Sequence, residues 1–336
     1  MPEQITILGN GAMATVCSIL LTAGGHGVTM WGAFAESIDR LRRDRDQQRL
    51  LPGARVPDAV RLTADDTDAL AGATMILSAI PTQHMRSAWD RLAPHVPAGV
   101  PVVSVAKGIE NGTLLRPTQV VADVLGGCDR NPLAALSGPN IAVEISRHLP
   151  ATAVAAADDA AVARRVQAAF STPWFRVYTN DDVAGVELAG ATKNVIALAA
   201  GILEGLSVGN NAKAALVTRG IVEISRLGAA MGAHPGTFAG LAGLGDLITT
   251  CFSPQSRNRT VGERIGKGQK LPQILGEMVS VAEGVETTKG VVQLARRHGV
   301  EMPITESVHA ILFDGKEPTD ALAGLMTRDP KREGAA

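Results

Sequence analysis

Short apolar runs alternate with helix-period segments through the first half of the chain. Ile5–Leu8, Val28–Trp31, Met75–Ala79, Val102–Val105, Ala134–Leu136, Ala153–Ala156 and Phe175–Tyr178 read as strands. Between them, Met13–Ala23, Glu36–Arg43, Gln83–Leu92 and Ile141–Arg147 carry helical spacing. Such alternation predicts a mostly parallel sheet covered by helices. After about Asn180 the strand signal stops. Helical periods follow at Val183–Leu203, Ala212–Met231, Val261–Ile265, Glu286–His298 and Thr305–Leu312, with glycines between them as at helix ends. The pattern predicts an α/β domain over residues 1–180 and an all-α domain over residues 181–336. The charged tail Arg328–Ala336 is expected to fray.

Composition narrows the function classes. The chain has 336 residues, 46% hydrophobic and 19% charged, enough for two packed cores. Aromatic residues are only 3%, so Ala, Val, Leu and Ile must fill those cores. A net charge of -1 offers no basic excess for nucleic acid or anionic lipid. Any anionic ligand must meet a local cluster of cations. Cys17, Cys128 and Cys251 form no C-x-x-C pair and lie near no His cluster, so reduced thiols are expected and no disulfide or metal site. The first strand starts at Ile5 with no signal core before it. Val183–Leu203 is interrupted by Glu187, Lys193 and Asn194, which suits a buried helix better than a membrane span. A cytoplasmic protein is expected.

Gly9-Asn10-Gly11-Ala12-Met13-Ala14 follows the first strand and opens a helix. In that context Gly9 allows a tight turn, Gly11 lets the backbone approach a pyrophosphate, and Ala14 permits close helix–strand packing. The helix N-terminus then presents free N–H groups to the diphosphate. A nicotinamide dinucleotide is the expected cofactor. Its type stays open. Trp31-Gly32-Ala33-Phe34 offers neither an acid nor an arginine at the end of the second strand. Glu36 looks like a helix-start residue, and Arg40, Arg42 and Arg43 lie further on.

Five further segments carry chemistry. Lys107 ends an apolar run, where a side chain points at the cleft of a parallel sheet. Ser137-Gly138-Pro139-Asn140 follows a strand and starts a helix, with Pro139 suited to the first helical position. Lys193 lies mid-helix among small and apolar neighbours, where burial and a second cation lower an ammonium pKa. Asp246 closes the turn Gly240–Gly245 and either pairs with Lys193 or caps a helix. Arg257, beside Ser256 and Asn258, offers a planar fork for phosphate oxygens. Singly, each has a plain reading as a solvated lysine, a helix cap or a polar loop.

Together the segments GNGAMA, VAKGIE, SGPN, GATKNVIALAAGILEGLSVGNN, AGLGDLITTC, QSRNR, VAEGVETTK and GVEMPITE resemble the bacterial NAD(P)-dependent glycerol-3-phosphate dehydrogenase family. The resemblance runs through nearly the whole chain. It implies a Rossmann-like NAD(P)-binding domain and an all-helical substrate domain. It also implies interconversion of dihydroxyacetone phosphate and glycerol 3-phosphate, supply of phospholipid synthesis, and a homodimer. On matching positions it makes Lys193 the general acid–base and Lys107 a contact to substrate and nicotinamide. Asp246 becomes a catalytic, substrate-site aspartate. Ser256, Arg257 and Asn258 become the phosphate group, and Gly138 and Asn140 substrate contacts. Gly9, Gly11, Ala12, Met13, Ala14, Ala142, Arg257, Val281 and Glu283 become cofactor contacts. Thr192, Ala14 and Ala33 depart from the usual pattern. Another dehydrogenase of the same plan, such as a hydroxyacid or ketopantoate reductase, would not need QSRNR. A non-catalytic dinucleotide sensor would not need the lysines.

Overall fold

The computed structural model describes residues 2–127, 129–330 and 332–333, so Cys128 and parts of the tail expected to fray lie outside the described residues. The first part runs β1 (Gln4–Leu8), α1 (Ala12–Ala23), β2 (Gly27–Trp31), α2 (Ala35–Asp44), β3 (Arg61–Thr63), α3 (Asp66–Leu70), β4 (Met75–Ser78), α4 (Thr82–Leu92), β5 (Val102–Ser104), α5 (Pro117–Leu125), β6 (Leu133–Ser137), α6 (Ala142–Ser146), β7 (Ala151–Ala156), α7 (Ala160–Phe170) and β8 (Phe175–Asn180). Then follow α8 (Val183–Gly205), α9 (Asn210–Ala230), α10 (Pro235–Ala239), a π turn (Leu241–Gly245), α11 (Asp246–Phe252), α12 (Arg257–Gly266), α13 (Leu271–Glu277), α14 (Glu283–His298), α15 (Pro303–Phe313) and α16 (Pro318–Met326).

The eight strands form one sheet in the order β3-β2-β1-β4-β5-β6-β7-β8. Neighbours are parallel except β6 and β7, which are antiparallel. Successive side chains of β1 serve opposite faces. Ile5 and Ile7 pack with α1, whereas Leu8 joins Trp31, Met85 and Trp89 on the other side. No strand follows Asn180 among the described residues.

Every predicted strand and helix is present, with edges shifted by a few residues. Four elements of the first part were not predicted. β3 is a three-residue edge strand and α3 is one short turn. The apolar positions of α7 are mostly alanines. α5 begins on Pro117 and Thr118, which hide its short apolar stripe. One expectation is corrected: Pro139 does not open a helix. α6 starts at Ala142 with Ile141 as its cap. Gly138 sits at φ +143°, and the Asn140 amide donates to Thr152 O at 3.1 Å, so 138–140 stays an irregular turn.

α8 is the centre of the helical part, with Gly185 to Leu203 buried along its length. Among the described residues, the one helix long and apolar enough to cross a membrane is this one, and it is 94% buried inside the protein. α12 lies against it, backbone to backbone. A Cβ on Gly201 would fall on Arg259 O, and one on Gly262 would fall on Leu198 O. Gly205 and Gly266 are as tightly placed. Only hydrogen fits there, and the contact fixes the start of α12 beside the middle of α8.

Gly262→Ala should therefore destabilise the fold by about 1–3 kcal/mol through overpacking. Gly276→Ala in α13, where a Cβ meets nothing within 4 Å, should be neutral or slightly stabilising. Urea unfolding of the two variants checks the contrast; equal effects would contradict the close-contact account.

Candidate functional site

Two lysines meet at one buried carboxylate. Lys193 Nζ donates to Asp246 Oδ1 at 2.9 Å and to Thr250 Oγ1 at 2.6 Å. Lys107 Nζ donates to Asp246 Oδ2 at 2.7 Å and to Gly138 O at 2.9 Å. The Asp246 and Lys193 side chains are 2% and 8% exposed, and that of Lys107 is 15% exposed. Lys107 is thus the more open of the two amines.

Each group is placed by local sequence. Lys107 lies three residues beyond β5, at the carboxyl end of the sheet. Gly190 of α8 leaves room for its stem: a Cβ there would stand 3.4 Å from Lys107 Cγ and 3.0 Å from Ser137 Oγ. Asn194 clamps the same loop by donating to Lys107 O at 2.9 Å. The π turn 241–245 delivers Asp246 from below; Gly245 N donates to Gly240 O at 3.1 Å. A Cβ on Gly243 would strike the Phe238 backbone, so the turn needs glycine. Asp246 is the first residue of α11 and Gly245 its cap, so the carboxylate serves the lysines and no helix end.

Burial pushes the Lys193 ammonium down to about 8; the Asp246 charge opposes this and the Lys107 charge reinforces it. Burial would raise the Asp246 carboxyl, but the two lysines outweigh it and leave it below its ordinary value. Burial raises the nearby Glu283 carboxyl above its ordinary value, against the pull of Arg257, Lys107 and Lys193. Two cations against one firmly ionised carboxylate leave the pocket short of negative charge. Such a site suits an anionic or anion-forming ligand.

A hydrogen-bonded chain leads from here to the start of α12. Asn258 Nδ2 donates to Asn194 Oδ1 at 2.9 Å, and Gly284 N donates to Asn258 Oδ1 at 3.0 Å. Arg257, next to Asn258, donates from Nη1 to Val281 O at 3.0 Å. Ser256 Oγ caps α12 by accepting from Arg259 N at 3.2 Å. The N–H groups of Arg257 and Asn258 precede the first helical bond, Thr260 N to Ser256 O, and have no backbone partner among the described residues, the arrangement by which a helix start receives an anion. Glu283 opens α14, and its Oε1 accepts from Thr82 N at 3.1 Å. Its carboxylate is thereby directed to the start of α4.

At the dinucleotide end, Gly9 has φ +117°, and a Cβ would stand 2.7 Å from Ala79 O, so the turn itself demands glycine. Gly11 differs. It caps α1 at φ −83°, and a Cβ would meet only Leu50 Cδ1 at 3.9 Å. The protein leaves that space open, as a closely approaching pyrophosphate needs. Ala12 and Met13 begin α1 and are partly buried, and Ala14 is fully buried under the sheet. Ala142 opens α6. Ser137 Oγ, Thr82 Oγ1 and Thr287 Oγ1 are buried without a hydrogen-bond partner among the described residues. A Cβ on Gly108 would stand 2.6 Å from Thr82 Oγ1 and 3.2 Å from Thr287 Oγ1. These features fit a dinucleotide lying across the strand ends, with polar groups still to be satisfied.

Sequence reasoning missed two members of the constellation. Thr250 stands one helical turn after Asp246, on the same face, and that spacing was the available signal. Asn194 follows Lys193 directly, in a segment already singled out. Thr192, unusual at its place, is satisfied by donating to Leu188 O at 2.6 Å.

Comparisons bear on this arrangement. The family models for the N-terminus and C-terminus of NAD-dependent glycerol-3-phosphate dehydrogenase match residues 4–163 and 182–323. A Salinibacter ruber protein named glycerol-3-phosphate dehydrogenase (NAD(P)+) 2 is 49% identical over 334 residues, covering 99% of this chain and 97% of that protein. A Citrifermentans bemidjiense protein named glycerol-3-phosphate dehydrogenase (NAD(P)+) is 47% identical, covering 99% of this chain and all of its own. The crystal structure of glycerol-3-phosphate dehydrogenase from Coxiella burnetii superposes with a TM-score of 0.93 at 35% identity, covering 97% of this chain and 99% of that one.

The charge balance makes a signed prediction for Lys193. Lys107→Met removes a repelling cation, so Lys193 should titrate above about 8. Asp246→Asn removes the stabilising anion, so it should titrate below about 8. Carbon-13 NMR of labelled lysine side chains reads both shifts. A Lys193 signal unmoved in either variant would show that the three groups are not coupled.

Proposed function

Because the chain belongs to the NAD-dependent glycerol-3-phosphate dehydrogenase family, we propose that Lys193, Lys107 and Asp246 are the groups that act on the substrate carbonyl. The protein is an oxidoreductase that interconverts dihydroxyacetone phosphate and glycerol 3-phosphate with NAD(P)H. The observation that carries the residue assignment is the convergence of two lysine amines on one buried carboxylate, at the carboxyl end of the sheet.

A nicotinamide cofactor, when bound, would supply or take the hydride. The residues of this chain do the rest. In reduction, Lys193 gives a proton to the C2 oxygen as negative charge develops there. An ammonium titrating near 8 surrenders a proton more readily than one near 10.5. Lys107, more open than Lys193, stabilises the same charge. Asp246 holds both amines in register and stays ionised. The open N–H groups of Arg257 and Asn258, with the Arg257 guanidinium, take the phosphate at the start of α12. Ser256 fixes that helix start. Gly138 and Asn140 shape the substrate side of the pocket. Gly9, Gly11, Ala12, Met13, Ala14, Ala142, Val281 and Glu283 line the cofactor side. Anchoring the phosphate fixes which face of C2 meets the hydride, an orientation effect worth several powers of ten.

In this reading residues 1–180 form the cofactor domain and residues 181–336 the substrate domain. We further propose a cytoplasmic homodimer that supplies glycerol 3-phosphate to phospholipid synthesis, the setting that the sequence resemblance implies.

Lys193→Ala should lower kcat for dihydroxyacetone phosphate reduction by about 10²–10⁴-fold, with cofactor affinity nearly unchanged. Near-normal turnover would remove Lys193 from the mechanism. In the wild type, kcat/KM for reduction should fall as pH rises through about 8, because the proton-donating form is lost, and oxidation should rise. Unphosphorylated dihydroxyacetone should turn over far more slowly than its phosphate. Equal rates for the two would point to another dehydrogenase of the same plan.

A further inference from the structure

In a dinucleotide-binding sheet, the end of the second strand faces the adenosine ribose. An acid there holds the 2′-hydroxyl, and an arginine nearby accommodates a 2′-phosphate. Here β2 ends at Trp31, Gly32-Ala33-Phe34 follow it, and the segment has neither. The side chain that reaches this point comes from 58 residues further on. Arg91, in the last turn of α4, donates from Nη1 to Ala33 O at 3.2 Å and from Nη2 to Ala64 O at 3.4 Å.

The guanidinium is held before any ligand arrives. Its Nε donates to Asp66 Oδ2 at 2.6 Å, and its carbon lies 5.3 Å from the centre of the Trp31 ring. Asp66 is itself fixed, since its Oδ1 accepts from Trp31 Nε1 at 3.0 Å. Both carboxylate oxygens are thus engaged, and the Asp66 side chain is 18% exposed against 44% for Arg91. The cation and not the acid is what this corner presents outward. Of the five guanidinium N–H groups, one on each terminal nitrogen has no partner among the described residues. These two donors, one on each terminal nitrogen of a rigid cationic plane, can serve oxygens of a phosphate monoester. Glu36, exposed in the first turn of α2, is the competing determinant, because an acid there would favour the unphosphorylated ribose.

We propose that Arg91 binds the 2′-phosphate of the cofactor's adenosine and gives this chain a preference for NADP over NAD. The proposal rests on the dinucleotide reading of the strand ends. It concerns binding, so it is tested without turnover.

Calorimetric titration of the full chain with ADP-ribose and with 2′-phospho-ADP-ribose provides the test. The wild type should bind the phosphorylated fragment about tenfold or more tightly than the other. Arg91→Met should abolish the difference and leave ADP-ribose affinity within about twofold, because only the charged fork is lost. Arg91→Lys should retain part of the preference. Equal binding of the two fragments by the wild type, or tighter binding of ADP-ribose, overturns the proposal. So does an Arg91→Met variant weakened equally for both, which would mark Arg91 as merely structural. If neither fragment binds the wild type, the dinucleotide reading fails as well, and that outcome is separate from the others.

Discussion

The site depends on holding two lysine amines against one carboxylate in a place largely shut off from solvent. An isolated buried ion costs several kcal/mol, and removing one partner of a buried pair typically costs about 3–5 kcal/mol. Asp246 answers this by giving one oxygen to each lysine. A single carboxylate cannot fully neutralise two cations. Burial depresses Lys193, with Lys107 reinforcing the shift against the pull of Asp246, and the excess of cations leaves a field that favours negative charge on a bound oxygen.

The fold can be read as the means of holding that pairing. β5 delivers Lys107, α8 carries Lys193, and the π turn carries Asp246. These three pieces come from distant parts of the chain, so small errors in helix position would separate them. Glycine is what prevents the errors. Gly190 admits the Lys107 stem, Gly243 lets the π turn close against Phe238, and the Gly201/Gly262 contact seats α12 on α8. Asn194 then ties both ends together, donating to the Lys107 loop and accepting from Asn258. The proposed proton donor and the proposed phosphate anchor are therefore adjacent through one side chain.

Much of this was legible before any coordinates. The alternation of strands and helices up to Asn180 was clear because parallel strands are buried on both faces and read as apolar runs. Lys193 stood out because its helix lacks a polar stripe. Other features were hidden for physical reasons. The apolar positions of α7 are mostly alanines, the first turn of α12 is polar, and that of α14 has Val285 alone between two glutamates, so an apolar period starts late. Pro139 satisfied a helix-start rule, but the positive φ of Gly138 and the Asn140–Thr152 bond won locally. Thr250 was signalled only by its spacing from Asp246, and Arg91 acts through tertiary neighbours, which no local pattern records. Asp246 was ambiguous between cap and ion pair until its neighbours were placed.

The central claim is that Lys193 and Lys107 face one carbonyl oxygen while the phosphate sits at the start of α12. The most direct measurement is a crystal structure of the ternary complex with oxidised cofactor and an unreactive phosphorylated analogue of the substrate. The account predicts the analogue's C2 oxygen within about 3.2 Å of both amine nitrogens and its phosphate on the Arg257 and Asn258 N–H groups. An analogue whose phosphate lay elsewhere, or whose C2 oxygen reached neither lysine, would contradict it.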